Sequence, residues 1–276
     1  MKYKAIFSDF DLTIFSENFT ISPKDVTAIK KYQDKGGNFM ISTGRLYKSI
    51  APYLPELGLT KGKIVVSQGA EIYDIETGER LYQELVPLDL VKKIIDYVES
   101  YFDKTPNVTM FTYINDEIYF IDRWHEAIKG FCDVVNVEPN IIQGSIWDFI
   151  KAAPNLPSKI LAMIEEPMVQ EFMESGKKAT GEEASFFASR HFLVEMMSKD
   201  VNKGTGVKRV ADMLGIDLDD VICIGDSDND VPMIDVAGLG IAPANSFDRV
   251  KAHAKYIAPS CNDSPIADII EKFCND

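Results

Sequence analysis

Ala5-Ile6-Phe7-Ser8-Asp9-Phe10-Asp11-Leu12-Thr13 passes from an apolar run of strand length to two carboxylates separated by a single residue. An apolar run that stops at polar, turn-forming residues reads as a buried strand delivering its last side chains to a sheet edge. Downstream, Ser22-Pro23-Lys24-Asp25 opens a helix. Ser22 can cap it, Pro23 suits its first turn, and Asp25 favours the positive end of its dipole. Gly36-Gly37 stops that helix, and Asn38-Phe39-Met40-Ile41 is a second strand ending at Ser42-Thr43-Gly44-Arg45. Ile64-Val65-Val66 is a third, followed by Gln68-Gly69-Ala70. Strand, helix and strand at this spacing predict a doubly wound α/β fold with a Rossmann-like parallel sheet.

The texture then changes. Apolar residues at 90, 91, 94, 95, 98 and 102 predict an amphipathic helix over 87–102. Met110 to Ile121 reads as a hairpin turning at Asn115-Asp116, and Ile160–Ile164 and Ser185–Met197 supply further strands. After these the α/β pattern returns. Lys203-Gly204 leads a helix with Val207, Val210, Ala211 and Leu214 inward and Gly215 at its end. Val221–Ile224 is a strand ending at Gly225-Asp226, residues 238–241 and 255–257 read as short edge strands, and Ser264-Pro265 starts a last helix. The middle is therefore an inserted α+β module: residues 1–83 and 190–276 form the core, and 84–189 the insertion.

Composition narrows the partners. At 276 residues the chain suits two domains, and its net charge of −14 disfavours nucleic acid or an anionic membrane as a partner. The cysteines, at 132, 223, 261 and 274, form no CxxC pair, which suits a reducing compartment. The N-terminal run reaches Asp9 too soon for a signal peptide, and no apolar stretch approaches membrane-spanning length. A soluble, cytoplasmic protein is expected. His125, His191 and His253 read as surface or core residues, and Trp124 as a packing residue.

Polar residues follow strand after strand: Asp9 and Asp11, then Thr43, then Asp226 with Asn229 and Asp230. Ligands of open parallel sheets bind outside the carboxyl ends of the strands. Singly, each group is an ordinary turn or capping residue. In this order, Asp9-Phe10-Asp11-Leu12-Thr13, Ser42-Thr43-Gly44-Arg45, Lys203-Gly204 and Gly225-Asp226-Ser227-Asp228-Asn229-Asp230 resemble the four motifs of the haloacid dehalogenase (HAD) superfamily. The closest likeness is to its Cof-type phosphatases. The resemblance covers nearly the whole chain, with the insertion as a cap between the second and third motifs. Leu12 stands where these phosphatases usually have Gly, and Gln68 where an Asn-Gly-Ala turn is usual.

The resemblance implies a Mg²⁺-dependent phosphohydrolase acting on small phosphate esters such as sugar phosphates. Asp9 would be the nucleophile, forming an aspartyl-phosphate, and Asp11 the general acid and base. Asp9 and Asp226 side chains and the Asp11 carbonyl would ligate the metal. Thr43, the Gly44 amide, Lys203 and Asn229 would hold phosphoryl oxygens. Asp230 would orient Lys203 or a metal-bound water, and Arg45 would bind substrate or cap the Thr43 loop. Two other readings use the same residues: a sugar-phosphate mutase, and a phospho-accepting receiver-like signalling domain. A calcium loop is excluded because Val231 and Ala237 stand where Gly and Glu are needed. A serine esterase beginning at Gly225-Asp226-Ser227 lacks the Asp-x-x-His it requires.

Overall fold

The computed structural model describes residues 2–274, and the chain divides into two compact units. The first comprises Met1–Gly44, Ile50–Tyr82 and Asn202–Asp276; the second comprises Arg45–Ser49 and Gln83–Val201.

The chain runs through β1 (Ala5–Ser8), α1 (Pro23–Asp34) and β2 (Asn38–Ile41) of the first unit, crosses through α2 (Tyr47–Ile50), which belongs to the second unit as far as Ser49, and returns in β3 (Lys63–Val66), β4 (Glu71–Asp74) and β5 (Arg80–Gln83), the first unit ending at Tyr82. Ser22 caps α1 by accepting the Lys24 amide, and Pro23 occupies its first turn. The second unit runs through α3 (Leu88–Glu99), β6 (Val108–Ile114), β7 (Glu117–Ile121), α4 (His125–Val135), β8 (Asn140–Ile142), α5 (Ile146–Ala152), β9 (Lys159–Ile164), α6 (Val169–Ala179), β10 (Ala184–Arg190) and β11 (Leu193–Ser198). The chain returns to the first unit in α7 (Lys203–Leu214), β12 (Val221–Ile224), α8 (Val231–Val236), β13 (Leu239–Pro243), α9 (Asp248–Lys251), β14 (Tyr256–Ala258) and α10 (Pro265–Phe273).

In the first unit a parallel five-stranded sheet has the order β14-β13-β12-β1-β2. Side chains alternate across a strand, so Ala5, Phe7, Val221 and Cys223 share a face with α7 and α8, packing on Val207, Val210 and Met233. β13 lies between β12 and β14, so only β14 of the two expected edge strands is an edge. β3 departs from the sequence reading as well. It pairs antiparallel with β4 in a separate sheet of order β3-β4-β5 and meets the main sheet at the Ser42–Val65 bridge. The cause is the turn after it: Ser67, Gln68 and Gly69 all have positive φ, which reverses the chain at once into β4.

The second unit is a six-stranded sheet of order β10-β11-β9-β6-β7-β8. Its central hairpin turns at Asn115 and Asp116, both left-handed (φ 52° and 62°), as a two-residue turn between twisted strands requires. Tyr97 of α3 and Tyr101 in the turn after it pack on Phe172 of α6 and, through Tyr97, on Phe186. On another cluster, Phe131 of α4 packs with Phe111, Phe120, Leu161 and Leu193. Trp124 packs against that cluster and, with Phe131 and Phe192, lines a cavity of about 510 Å³.

The unit boundary falls later than the expected 189/190. β11 is hydrogen-bonded between β10 and β9, so the inserted sheet claims the chain as far as Val201. The segment 45–49 also belongs to this unit: Leu46 is buried in the α4 cluster, the Lys48 amide donates to Asp116 at 2.9 Å, and Ser49 donates to the Val135 carbonyl.

Candidate active site

Register sets the site. β1 pairs with both neighbours so that Ser8 lies opposite Ile41 of β2 and Ile224 of β12. The three strands therefore end level, and the residues that follow, Asp9, Ser42-Thr43 and Gly225-Asp226, emerge side by side. Backbone bonds carry the alignment one step further: Asp9 N–H donates to Ile224 and Ser42 N–H to Ser8, each at 2.9 Å.

Lys203 reaches this edge from the first turn of α7. Asn202 caps the helix, accepting the Thr205 amide at 3.0 Å while Thr205 Oγ1 accepts the Asn202 amide at 3.1 Å. A cation in a first helical turn opposes the helix dipole, and carboxylates offset this. Lys203 Nζ donates to Asp9 Oδ1 at 2.5 Å and to Asp230 Oδ1 at 2.6 Å, and the side chain is 1% exposed. Burial alone would lower the Lys203 ammonium, but Asp230 and Asp9 outweigh it and the net shift is upward.

Both oxygens of Asp230 are engaged. The second accepts the backbone amides of Asp226 and Ser227 at 3.0 and 2.9 Å. Gly225 makes this possible, because a Cβ there would collide with the Asp230 carboxylate. Asp226 is held in turn by Thr13 Oγ1 at 3.2 Å and Ser227 Oγ at 2.8 Å. Among the described residues, Asp9, Asp226 and Asp230 bring carboxylate oxygens within 4.8 Å of one another, a group able to hold a metal ion. Burial raises Asp9 well above the usual carboxylate range, and the charges of Asp230, Asp226 and Asp11 push the same way against Lys203. Burial, then Asp230, lifts Asp226 to about 7.

Asp11 is half-buried on the loop after β1, which folds back through an Asp11–Phe15 bridge and a Phe10–Phe15 stack at 4.8 Å. Leu12 beside it is left-handed (φ 57°) and 40% exposed; its carbonyl accepts from Asn245 at 2.8 Å. Thr43 is buried, its amide donating to Val65 at 2.9 Å. Gly44 beside it is half-buried. Asn229, on the loop after β12, donates from Nδ2 to Gln68 Oε1 at 3.0 Å. Arg45 is 4% exposed and belongs to the second unit.

Three contributors escaped the sequence reading of the site. Thr13 and Ser227 lie within its motifs, but nothing local marks them as partners of Asp226. Gln68 stood out only as a departure from the usual Asn.

Comparison with known proteins places the whole chain in one group. A family model described as haloacid dehalogenase-like hydrolase matches residues 6–270. The 5-amino-6-(5-phospho-D-ribitylamino)uracil phosphatase YitU of Bacillus subtilis is 27% identical over 272 residues, covering 96% of this chain and 95% of that one. The B. subtilis phosphatase YwtE, named for the same substrate, is 27% identical over 294 residues, covering 98% of each. Among solved structures, a haloacid dehalogenase-like hydrolase from B. subtilis aligns with a TM-score of 0.84 at 23% identity, covering 98% of this chain and 99% of that one. The HAD subclass IIB sugar phosphatase BT4131 aligns with a TM-score of 0.84 at 21% identity, with the same coverage. At these identities the structural likenesses speak to fold.

Proposed function

The chain belongs to the haloacid dehalogenase-like hydrolases, and on that premise we propose that it is a Mg²⁺-dependent phosphatase of small phosphorylated metabolites, working through an aspartyl-phosphate on Asp9. One observation carries the reading: three buried carboxylates share one ammonium at the level ends of β1 and β12. Such a group has too little positive charge of its own, as the upward shifts of Asp9 and Asp226 express. Hard oxygen donors in negative excess fit Mg²⁺. Asp9 and Asp226 would hold it through side chains and Asp11 through its carbonyl; when bound, it supplies the positive charge that lets a carboxylate approach a phosphate dianion.

The remaining chemistry falls to the chain. An Asp9 oxygen attacks phosphorus in line; the P–O(Asp9) bond forms as the bond to the leaving oxygen breaks. Asp11 gives its proton to that oxygen, then takes a proton from the water that attacks the phosphoaspartate. Orthophosphate leaves, and Asp9 is regenerated. Lys203, Thr43 Oγ1, the Gly44 amide and Asn229 Nδ2 hold the phosphoryl oxygens, while Asp230 fixes Lys203 and the 226–227 amides. Arg45 packs with the inserted unit, which favours reading it with substrate selection over phosphoryl binding.

The inserted unit is proposed to choose the leaving group, since all four motifs that carry the chemistry lie outside its main segment, 83–201. Sugar phosphates and related phosphorylated polyols are the favoured class, which includes the phosphoribityl compound for which the two B. subtilis relatives are named. Release of inorganic phosphate from a panel of sugar, polyol and nucleotide phosphates, with Mg²⁺ and then with EDTA, tests the reading. Turnover of at least one phosphorylated polyol or sugar, lost on chelation and restored by Mg²⁺, is expected. Turnover indifferent to chelation would overturn the metal, and hydroxylamine-labile ³²P still formed on an Asp9→Asn protein would overturn the nucleophile.

A further inference from the structure

The two ends of the Asn229 side-chain amide are opposite in hydrogen-bonding sense, and only the nitrogen end can hold a phosphoryl oxygen. An amide reversed about its last bond would present acceptor to acceptor. The group that meets Asn229 is Gln68, whose Oε1 accepts from Asn229 Nδ2 at 3.0 Å. That contact uses one N–H and leaves the second N–H of the same nitrogen for another acceptor.

Gln68 is 1% exposed and touches the loop after β2 as well as the loop after β12. Its backbone amide donates to the Thr43 carbonyl at 3.0 Å. Its side-chain amide lies against Gly44 so closely that a Cβ there would collide with Nε2. The chain accepts strain to put it there. Ser67 and Gln68 are consecutive non-glycine residues with φ of 50° and 60°, a conformation that side chains disfavour. Strain of this kind persists where the surroundings hold it, and it gathers at functional sites.

The geometry points to Gln68 as a positioning residue for phosphoryl binding: by accepting from Asn229 while packed on Thr43-Gly44, it holds the loops after β2 and β12 in one register and fixes which end of the Asn229 amide is offered to substrate. The inference rests on the reading of Thr43, Gly44 and Asn229 as phosphoryl-holding groups.

A double-mutant cycle tests it, read by the inhibition constant of inorganic phosphate, by KM and kcat with an aryl phosphate, and by thermal midpoint. Gln68→Met keeps the length and the backbone but removes the acceptor. It should weaken inorganic phosphate about tenfold and raise KM more than it lowers kcat, which is the scale of one hydrogen bond to an anionic group. Combined with Asn229→Ala it should add less than about twofold, because both changes remove one interaction. Gln68→Glu keeps an acceptor, so Asn229→Ala made in that background should cost its full factor; this arm also serves if Gln68→Met folds poorly. Independent, multiplying effects would overturn the inference, as would a lowered midpoint with unchanged phosphate affinity. An Asn229→Ala enzyme that binds phosphate as wild type does would remove the reading of Asn229 first. Loss in Asn229→Ala with none in Gln68→Met would remove Gln68 alone.

Discussion

Each unit of this protein buries a lysine to 1% exposure, in different company. Lys159 of the inserted sheet lies 2.5 Å from Glu195 on β11, one ammonium against a carboxylate, and rests over the Tyr113 ring at 4.4 Å. Lys203 of the core lies between Asp9 and Asp230, with Asp226 in the same group. An ion pair can be buried at little net cost when its geometry is good, whereas buried charge in excess is expensive. The first arrangement is compatible with folding alone. The second sets folding against function, and it makes sense when a ligand brings the missing positive charge. Buried charge by itself is thus a poor marker of a site; its imbalance is the informative quantity.

Asp9→Asn, in the Lys203 cluster, should have the largest effect. We expect turnover to fall by about 10⁴-fold or more, as loss of a nucleophile does. The thermal midpoint should not fall, because one of three mutually repelling carboxylates has been neutralised. A folded variant that keeps substantial activity would remove Asp9 from the nucleophile role.

Removing either lysine should cost about 3–5 kcal/mol of stability, the scale for stripping one partner from a buried pair. The two variants should part company on adding Mg²⁺. For Lys203→Met the midpoint gain should exceed that of wild type, since more uncompensated charge awaits the cation. For Lys159→Met the gain should match wild type. Equal gains in both, measured by thermal melts with and without Mg²⁺, would mean the metal does not share the Lys203 cluster.

A smaller effect is expected on pH. Asp226 has its pKa raised to about 7 by burial and Asp230, and Asp25 is raised to about 6 by burial despite accepting the Ala267 amide at 2.7 Å. A carboxyl raised in the folded state holds its proton where the unfolded chain has lost it, so stability is full at low pH and falls as pH rises. The metal-free midpoint should therefore decline as pH rises from about 4 to 7, with Asp9, also raised, acting in the same direction. Mg²⁺ should flatten the upper part of that decline by favouring the carboxylate, and Asp25→Asn should remove the share lost between about pH 4 and 6. A metal-free midpoint that rises across this window would contradict the burial of these groups.

Leu12→Gly should change least. The left-handed Leu12 costs about 1 kcal/mol relative to a relaxed backbone, and glycine relieves that while adding freedom to the unfolded chain. A midpoint shift within about 3 °C, upward, is expected, with kcat/KM unchanged. A large loss would show that the Leu12 side chain has a task of its own.

The strands that carry the site, the starts of α1, α7 and α10 and the order of the motifs are legible in the sequence, because these are written in short range, whereas β4, β5, β8 and helices α4 to α6 left no signal that was read. Apolar runs ended by polar turns locate β1, β2 and β12, and Ser22-Pro23 locates the start of α1. The two departures from the family pattern, Leu12 and Gln68, were visible too, but not that both stand at left-handed positions. The geometry that joins these pieces depends on residues far apart in the chain. Lys203 and Asp9 are 194 positions apart, and no local pattern says that their strand and helix ends coincide. The same holds for Asp230 dividing its oxygens between Lys203 and two backbone amides, and for Gln68 meeting Asn229 across 161 positions. β11 reads as a strand wherever it sits; only its hydrogen bonds to β9 and β10 assign it to the inserted sheet and move the boundary to Val201. Periodicity records which face of an element is buried. The partner on the other side of that face is set by register and packing, which exist only once the chain has closed on itself.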